Sequence, residues 1–410
     1  VIPRKIPPDD WSPLVDGTAR LLDKLGLTRY AEIARSDTTR SVLEAWAEDE
    51  QAGFERFLQE HRRSGIAPPN TDLIEWGEIM GIDEALAFES VSVALEAAIL
   101  KGEYEPGSPG WQAKADEITR RALVEPARPV QPTDLRRFRL VDLALGSRVE
   151  SWIATATNDR HRALREAAAA HFRDGPAAIA PEPPSARQLE QVVAPLAWLL
   201  EICLDGVKAT SAGYLPPALV REAVERFEWT LFEDRVRSEA DVMPLVLLHE
   251  MAARNRWILR RSGRIKTTKP GAALLGDPAR LWWAIVGAAG QPDEFHGIVS
   301  ELMALRLLDG PAEYIGFIHG PSELALSVAD VVLAQGWGAD GVPMTEEFVD
   351  RDIHEPLYEW RVFGFLAERP VSREALMGGP PTVALSSAGK QFARSLLYRR
   401  ATAPHMLDLG

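Results

Sequence analysis

The chain has 410 residues, 46% apolar and 26% charged, which is too hydrophobic for a disordered polymer and long enough for roughly two to four domains. Its 60 acidic against 46 basic residues give a net charge of −14, so the overall field repels nucleic acid and anionic membranes, and any polyanion site must be a local reversal. A single cysteine, Cys203, excludes an intramolecular disulfide and a cysteine-held zinc.

Val1 to Asp10 (VIPRKIPPDD) show no apolar signal core, and no stretch approaches the roughly 18 apolar residues of a membrane span. The expectation is a cytoplasmic protein without a membrane contact. Helical periodicity then dominates, with helices expected near residues 12–35, 39–62, 82–101 and 111–123. Ser36, Asp37 and Thr38 supply capping side chains for the second, and Asp83, after Gly81 and Ile82, for the third. The three prolines of Glu125 to Pro132 (EPARPVQP) remove amide donors and read as a linker.

A second helical block runs from Asp134 to Phe172, broken at Asn158 to Arg162 (NDRHR), whose carboxylate, imidazole and guanidiniums read as a polar break between helices rather than acid–base machinery. After the break Gly175 to Pro184, residues Leu189, Val192, Val193, Leu196, Leu199, Leu200 and Cys203 share one helical face, which assigns them to the core. Cys203 on such a face is a small buried hydrophobe, not a nucleophile.

A pattern of the form Val/Ile, x, x, Thr/Ser, x, x, Gly occurs three times, as Val207 to Gly213, Ile265 to Gly271 and Val383 to Gly389. In each, a short extended segment ends at Thr210, Thr268 or Ser386, an N-cap candidate, and the glycine three residues later permits close backbone approach in the first helical turn. The middle copy follows a hairpin: Trp257 to Arg261, a Ser262-Gly263 turn, then Arg264 to Thr268. Upstream lies a helix from Glu239 to about Asn255. Helix, two-stranded wing and capped helix together suggest a winged-helix module. A parallel arrangement is expected around Leu357, Trp360, Phe363 and Phe365, then Thr382 to Leu385. The fold class that follows is mainly α: a multi-domain helical protein with short β-hairpins in winged-helix-like modules. Three domains are expected, 1–128, 129–290 and 291–410.

The stretches TSAGYLPPALV (Thr210 to Val220) and SEADVMPLVLLHEMAARNRWILRRSGRIKTTKPGAALL (Ser238 to Leu275) resemble a group of plasmid open-reading-frame-three-like proteins. The resemblance covers about residues 196–285, with a weaker echo near 354–400. It implies winged-helix-like segments and no particular activity. That family carries a β-rich N-terminal module, whereas residues 11–123 here read as helices.

Between Arg254 and Arg280 lie eight positive charges, Arg254, Arg256, Arg260, Arg261, Arg264, Lys266, Lys269 and Arg280, against Asp277 alone, a local net of +7. In an extended strand Arg264 and Lys266 point to one side, where they can converge on phosphates, with Thr267 and Thr268 as hydroxyl donors. The candidate nucleic-acid-binding residues are Arg254, Arg256, Arg260, Arg261, Arg264, Lys266, Thr268 and Lys269. The first expectation is therefore a non-enzymatic regulatory or architectural protein that binds the DNA backbone. The alternative is a helical scaffold for a protein partner or a second copy, its basic segment docked on an acidic region such as Glu44, Glu48, Asp49, Glu50 and Glu55. An enzyme without a recognisable motif is the third.

No catalytic residue, metal site or cofactor is assigned. His249 and Glu250 open a zinc-peptidase-like H-E-x-x pattern, but Ala253 stands where the second histidine is required, so His249 reads as a hydrogen-bonded core histidine. His319, before Pro321, reads as a helix-entry residue. The 12 tryptophans, including Trp282 and Trp283, read first as core anchors and second as stacking or docking groups beside the basic segment.

Overall fold

The computed structural model describes residues 11–125, 138–229, 236–289, 295–314, 321–339, 342–367 and 382–405. The protein is mainly helical, with a few short antiparallel strand pairs. Two compact units divide it, residues 1–144 with 406–410, and residues 145–405. The expected linker from Glu125 to Pro132 lies almost wholly outside the described residues, as does His319.

In the first unit the first two expected helices each split in two, while those expected at 82–101 and 111–123 form as single helices. Helices α1 (Ser12–Lys24) and α2 (Thr28–Arg35) are separated at Gly26, whose φ of 75° suits glycine. Helices α3 (Asp37–Glu48) and α4 (Glu50–Arg63) meet at Asp49, which is extended and whose carboxylate accepts from the Ala52 amide at 2.9 Å. Ser36 caps α3 by accepting from Thr39 N at 3.2 Å. Helices α5 (Ile82–Leu100) and α6 (Trp111–Val124) pack through Ala87, Val91 and Leu95 of one and Ala115, Ile118 and Leu123 of the other. Gly81, not Asp83, occupies the cap position of α5; Asp83 lies inside the first turn, where its charge suits the helix dipole but its side chain caps nothing.

The second unit begins within α7 (Leu140–Ala154), followed by α8 (Asp159–Ala169) and a small hairpin, β1 (Arg173–Asp174) with β2 (Ala177–Ala178). Asn158 accepts from His161 N at 2.8 Å and starts α8, so the NDRHR segment is a capped helix junction. Helix α9 (Ala186–Ile202) and its C-cap bury all seven residues of the face read from its periodicity. Next come β3 (Val207–Lys208), α10 (Pro217–Phe227), a single 3-10 turn (Glu239–Asp241), α11 (Met243–Arg254), β4 (Ile258–Arg261) and β5 (Arg264–Thr267). The expected helix from Glu239 thus begins at Met243, because Asp241 folds back to accept from Ser238 N at 2.8 Å and Pro244 fits only a first helical turn. The three strands form one antiparallel sheet in the order β3-β5-β4. Helices α12 (Lys269–Leu274) and α13 (Pro278–Ala289) follow.

The same order then recurs. Helix α14 (Phe295–Asp309), β6 (Ala312–Glu313) and α15 (Glu323–Ala334) lead into a minor hairpin, β7 (Gly338–Ala339) with β8 (Val342–Pro343). Then come α16 (Glu346–Asp352), α17 (His354–Val362), β9 (Leu366–Ala367), β10 (Thr382–Leu385) and α18 (Ser387–Ala401), with a second sheet in the order β6-β10-β9. Helix, strand, helix, helix, two strands and a capped helix therefore occur twice within one unit, the second copy carrying the β7–β8 hairpin and α16 between its second helix and α17. In each copy a buried carboxylate ties the start of the second helix. Glu239 accepts from Leu215 N at 2.6 Å, and Asp350 accepts from the Ser322 hydroxyl at 3.1 Å.

Two of the three heptads are equivalent. Thr268 accepts from Gly271 N at 3.1 Å and Ser386 from Gly389 N at 3.0 Å, and the following glycines lie against the carbonyls of Trp257 and Phe365. The first heptad differs: Thr210 accepts from Tyr214 N at 3.1 Å in a turn, and the helix starts only at Pro217. Two prolines set that start, since the Pro216-Pro217 pair fixes the backbone there. Trp282 of α13 joins the aromatic core of the second copy, where Phe365 stacks on Phe392 at 4.0 Å and Trp282 and Trp360 meet Phe392 edge-on. Trp198, Trp282 and Trp360 are fully buried, as core anchors should be.

Candidate nucleic-acid interface

The basic segment folds as the β4–β5 hairpin and its flanks. Ser262 and Gly263 both have positive φ, 51° and 70°, the requirement of a two-residue turn that matches strand twist. Cross-strand partners then share a face. Arg261 pairs with Arg264 and Arg264 with Lys208, so three cations stand in one row across the three strands; Lys266 and Leu259 form the next pair on the same face. All five residues are exposed, whereas Ile258, Ile265 and Thr267 face the core. The Arg264 guanidinium also donates to the Gly206 carbonyl, which ties β3 to the hairpin.

The remaining candidates divide by parity and by partner. Arg260 lies opposite Ile265, on the other side of the sheet from Arg261, and its guanidinium sits over Gly213. Arg254 pairs with Glu359 at 3.0 Å and Glu355 at 3.7 Å, both on α17, which packs against α11. Arg256 is exposed in a left-handed conformation (φ 57°), and its carbonyl accepts from the Thr268 hydroxyl at 2.7 Å. Thr268 is thereby committed as a cap, and Thr267 donates to the Leu200 carbonyl at 2.6 Å, so both hydroxyls are spent inside the fold. Lys269 is exposed in the first turn of α12, where the helix dipole opposes a cation. Arg280 pairs with Asp277 at 3.2 Å. The structure thus gathers Arg261, Arg264 and Lys266, adds Lys208, which sequence reasoning misses, and sets the others apart. The signal for Lys208 is its place in the first heptad, one residue after the valine.

The remaining chemical candidates are structural. His249 Nδ1 lies 2.6 Å from the buried carboxylate of Glu239, as a satisfied core histidine should. Burial, with Glu239 nearby, pushes the Cys203 thiol up to about 12, which leaves it protonated and inert. Among the described residues no cluster of three or more His, Cys, Asp or Glu side chains is placed to hold a metal.

A titratable contact joins α14 to α17 beside Arg254. His296 Nε2 lies 3.0 Å from Glu355, and that carboxylate holds the imidazole above its ordinary value against the opposing effect of burial. His296 in turn holds Glu355 below the usual carboxylate range, while burial raises Glu359 and Asp352 beside them, with Arg254 opposing the rise of Glu359. The raised imidazole contributes stability below its unfolded value of 6.5 and loses it as pH rises through the higher folded value. Glu355 contributes above 4.5 and loses its share as pH falls through its depressed value. Urea titrations at several pH values should therefore show the wild type losing this contribution as pH rises above 6.5. A His296→Gln variant should lack that loss, and an identical slope in both would remove the assignment.

Residues 194–280 match the family described as Y4jL N-terminal domain, which coincides with the first of the two repeated units from within α9 to the start of α13. No curated protein and no solved structure matches the chain.

Proposed function

We propose that the chain is a non-enzymatic, nucleic-acid-binding protein of regulatory or architectural type, and that its two repeated units are winged-helix modules akin to those of the plasmid open-reading-frame-three-like proteins. The observation that carries this reading is the row Lys208–Arg264–Arg261 with Lys266 beside it, on the exposed face of a sheet in a protein of net charge −14. Like charges placed directly across a sheet disfavour their own pairing. Such a row is a local cost that an anionic partner relieves, and phosphate oxygens suit arginine forks and lysine ammonium groups alike. The buried lone cysteine fits a cytoplasmic setting.

A helical scaffold with its basic segment docked on acidic side chains is the second reading. It rests on Arg254, which is paired in that way. Lys208, Arg261 and Lys266 form no salt bridge among the described residues, which favours the first reading.

The test is fluorescence anisotropy of a labelled duplex with the full chain across a salt series. Arg261 and Lys266 are the residues to reverse, because Arg264 also holds Gly206 in place. Wild type should bind with affinity falling steeply as salt rises, and Arg261→Glu with Lys266→Glu should weaken binding at least about tenfold and shallow the slope by about two. Absence of binding by the wild type at low salt would overturn the proposal.

A further inference from the structure

We infer that the chain grips duplex nucleic acid by its phosphate backbone, independently of sequence, and that Lys208 belongs to the grip. The inference rests on the function proposed above and concerns how that same site works. In helix-turn-helix architectures the helix preceding the wing, here α11, enters the major groove and reads bases. Here that helix is neither accessible nor equipped for the task.

Helix α11 packs against α9, the 3-10 turn, β4 and α17, and buries Leu245, Leu247, Leu248, Met251 and Ala252. Its exposed positions are Met243, Glu250, Ala253 and Arg254. Arg254 is bound to Glu359 and Glu355. What remains is a thioether, a methyl and a carboxylate, and the carboxylate repels the phosphates it would have to pass. Base reading relies chiefly on Arg or Lys to guanine and on Asn or Gln to adenine, and α11 presents none of these unpaired. The equivalent helix α17 is also spent within the unit, burying Pro356, Leu357, Glu359, Trp360 and Val362.

The sheet face supplies charge, offers no Asn or Gln for adenine, and has its Arg264 guanidinium committed to the Gly206 carbonyl. At the usual strand spacing, three strands place the row Lys208–Arg264–Arg261 across about 10 Å. Cations that closely spaced can contact neighbouring phosphates of one strand. The outward residues Lys208, Leu259, Arg261, Arg264 and Lys266 include no aromatic ring, whereas proteins that prefer single strands stack bases on aromatic side chains. The partner this face fits is therefore a duplex, held by charge alone.

The experiment has two arms, both with the full chain. In the first, bound duplexes are selected from a randomised pool, and two unrelated 20-base-pair duplexes and a single-stranded oligonucleotide are titrated at one salt concentration. The expected result is no enriched motif, affinities for the duplexes within about twofold and weaker binding of the single strand. An enriched consensus, a preference above tenfold between duplexes, or tighter single-strand binding would sink this inference and leave nucleic-acid binding standing. In the second arm Lys208→Glu, checked for fold by circular dichroism, should weaken both duplexes by the same factor and shallow the salt slope by about one. An unchanged affinity removes Lys208 from the site. Failure of the wild type to bind any probe overturns the proposed function itself, and this inference with it.

Discussion

Replacing Glu301 by glutamine should lower the unfolding free energy of the 145–405 unit by about 3–5 kcal/mol, the usual cost of leaving buried charges unpaired. Glu301 lies in α14 and is only 2% exposed. Arg165 from α8 reaches it at 2.7 Å, Arg400 from α18 at 2.8 Å and the Trp152 indole from α7 at 3.0 Å. His161 stands 3.9 Å away. Burial alone would raise this carboxyl; His161 and the two guanidiniums overcome it and hold the group well below the usual carboxylate range. Its contribution is thus present above the unfolded value of 4.5 and is lost as pH falls through the depressed one.

Glutamine keeps the shape and removes the negative charge, so the guanidiniums of Arg165 and Arg400 lose the carboxylate that both reach in a buried site. Arg165 keeps its contact over the Trp152 ring, 4.7 Å to the centroid, its bonds to Trp152 O and Thr155, and a neutral acceptor in the glutamine carbonyl, but no counter-charge. Urea unfolding at neutral pH measures the loss, and a change under about 1 kcal/mol would show that the charges are solvated after all. Glu301→Met combined with Arg165→Met and Arg400→Met should recover part of the difference, since well-packed apolar residues can match a buried ion triad.

None of this cluster is legible as a unit in the sequence. Glu301 is 136 residues from Arg165 and 99 from Arg400, and a charge inside a helix carries no local sign of its partner. His161 is visible only as part of a polar break, and that is where α8 begins. What can be read is whatever local spacing determines. The α9 face is legible residue by residue because a 3.6-residue period fixes which side chains share a side. The hairpin is legible because its turn chemistry is local.

The candidate interface shows the same division. Alternation along β5 by itself puts Arg264 and Lys266 on one face, but the face that Arg260 takes depends on register, which pairs it with Ile265. Lys208 joins through β3, 56 residues before Arg264, and only the sheet order brings them together. Arg254 leaves the patch for a reason no window around it contains: its partners sit on a helix of the second repeated unit.

The heptad glycine makes the second large prediction. Gly389→Ala should cost about 3 kcal/mol, the upper end of overpacking penalties. A Cβ there would overlap the Phe365 carbonyl, at 2.8 Å from its carbon and 3.1 Å from its Cα. Backbone cannot rotate away as a side chain can. Phe365 is also fixed from both sides, its amide donating to Trp360 O at 2.9 Å and its carbonyl accepting from Ser386 N at 2.9 Å. Its ring meanwhile stacks on Phe392 of the very helix that would have to retreat. Removing the cap alone, by Ser386→Ala, should cost only about 1 kcal/mol, because it frees one amide without moving backbone. Gly310→Ala, with nothing within 4 Å of the added methyl, is the control and should be near neutral. Gly271 faces the Trp257 carbonyl in the same way, its added Cβ 2.9 Å from that carbon and 3.1 Å from Thr267 Cγ2, so Gly271→Ala should be similarly costly. Thermal unfolding of the four variants orders them. If the two heptad glycines fall with Gly310, close backbone approach is not what the repeated pattern maintains.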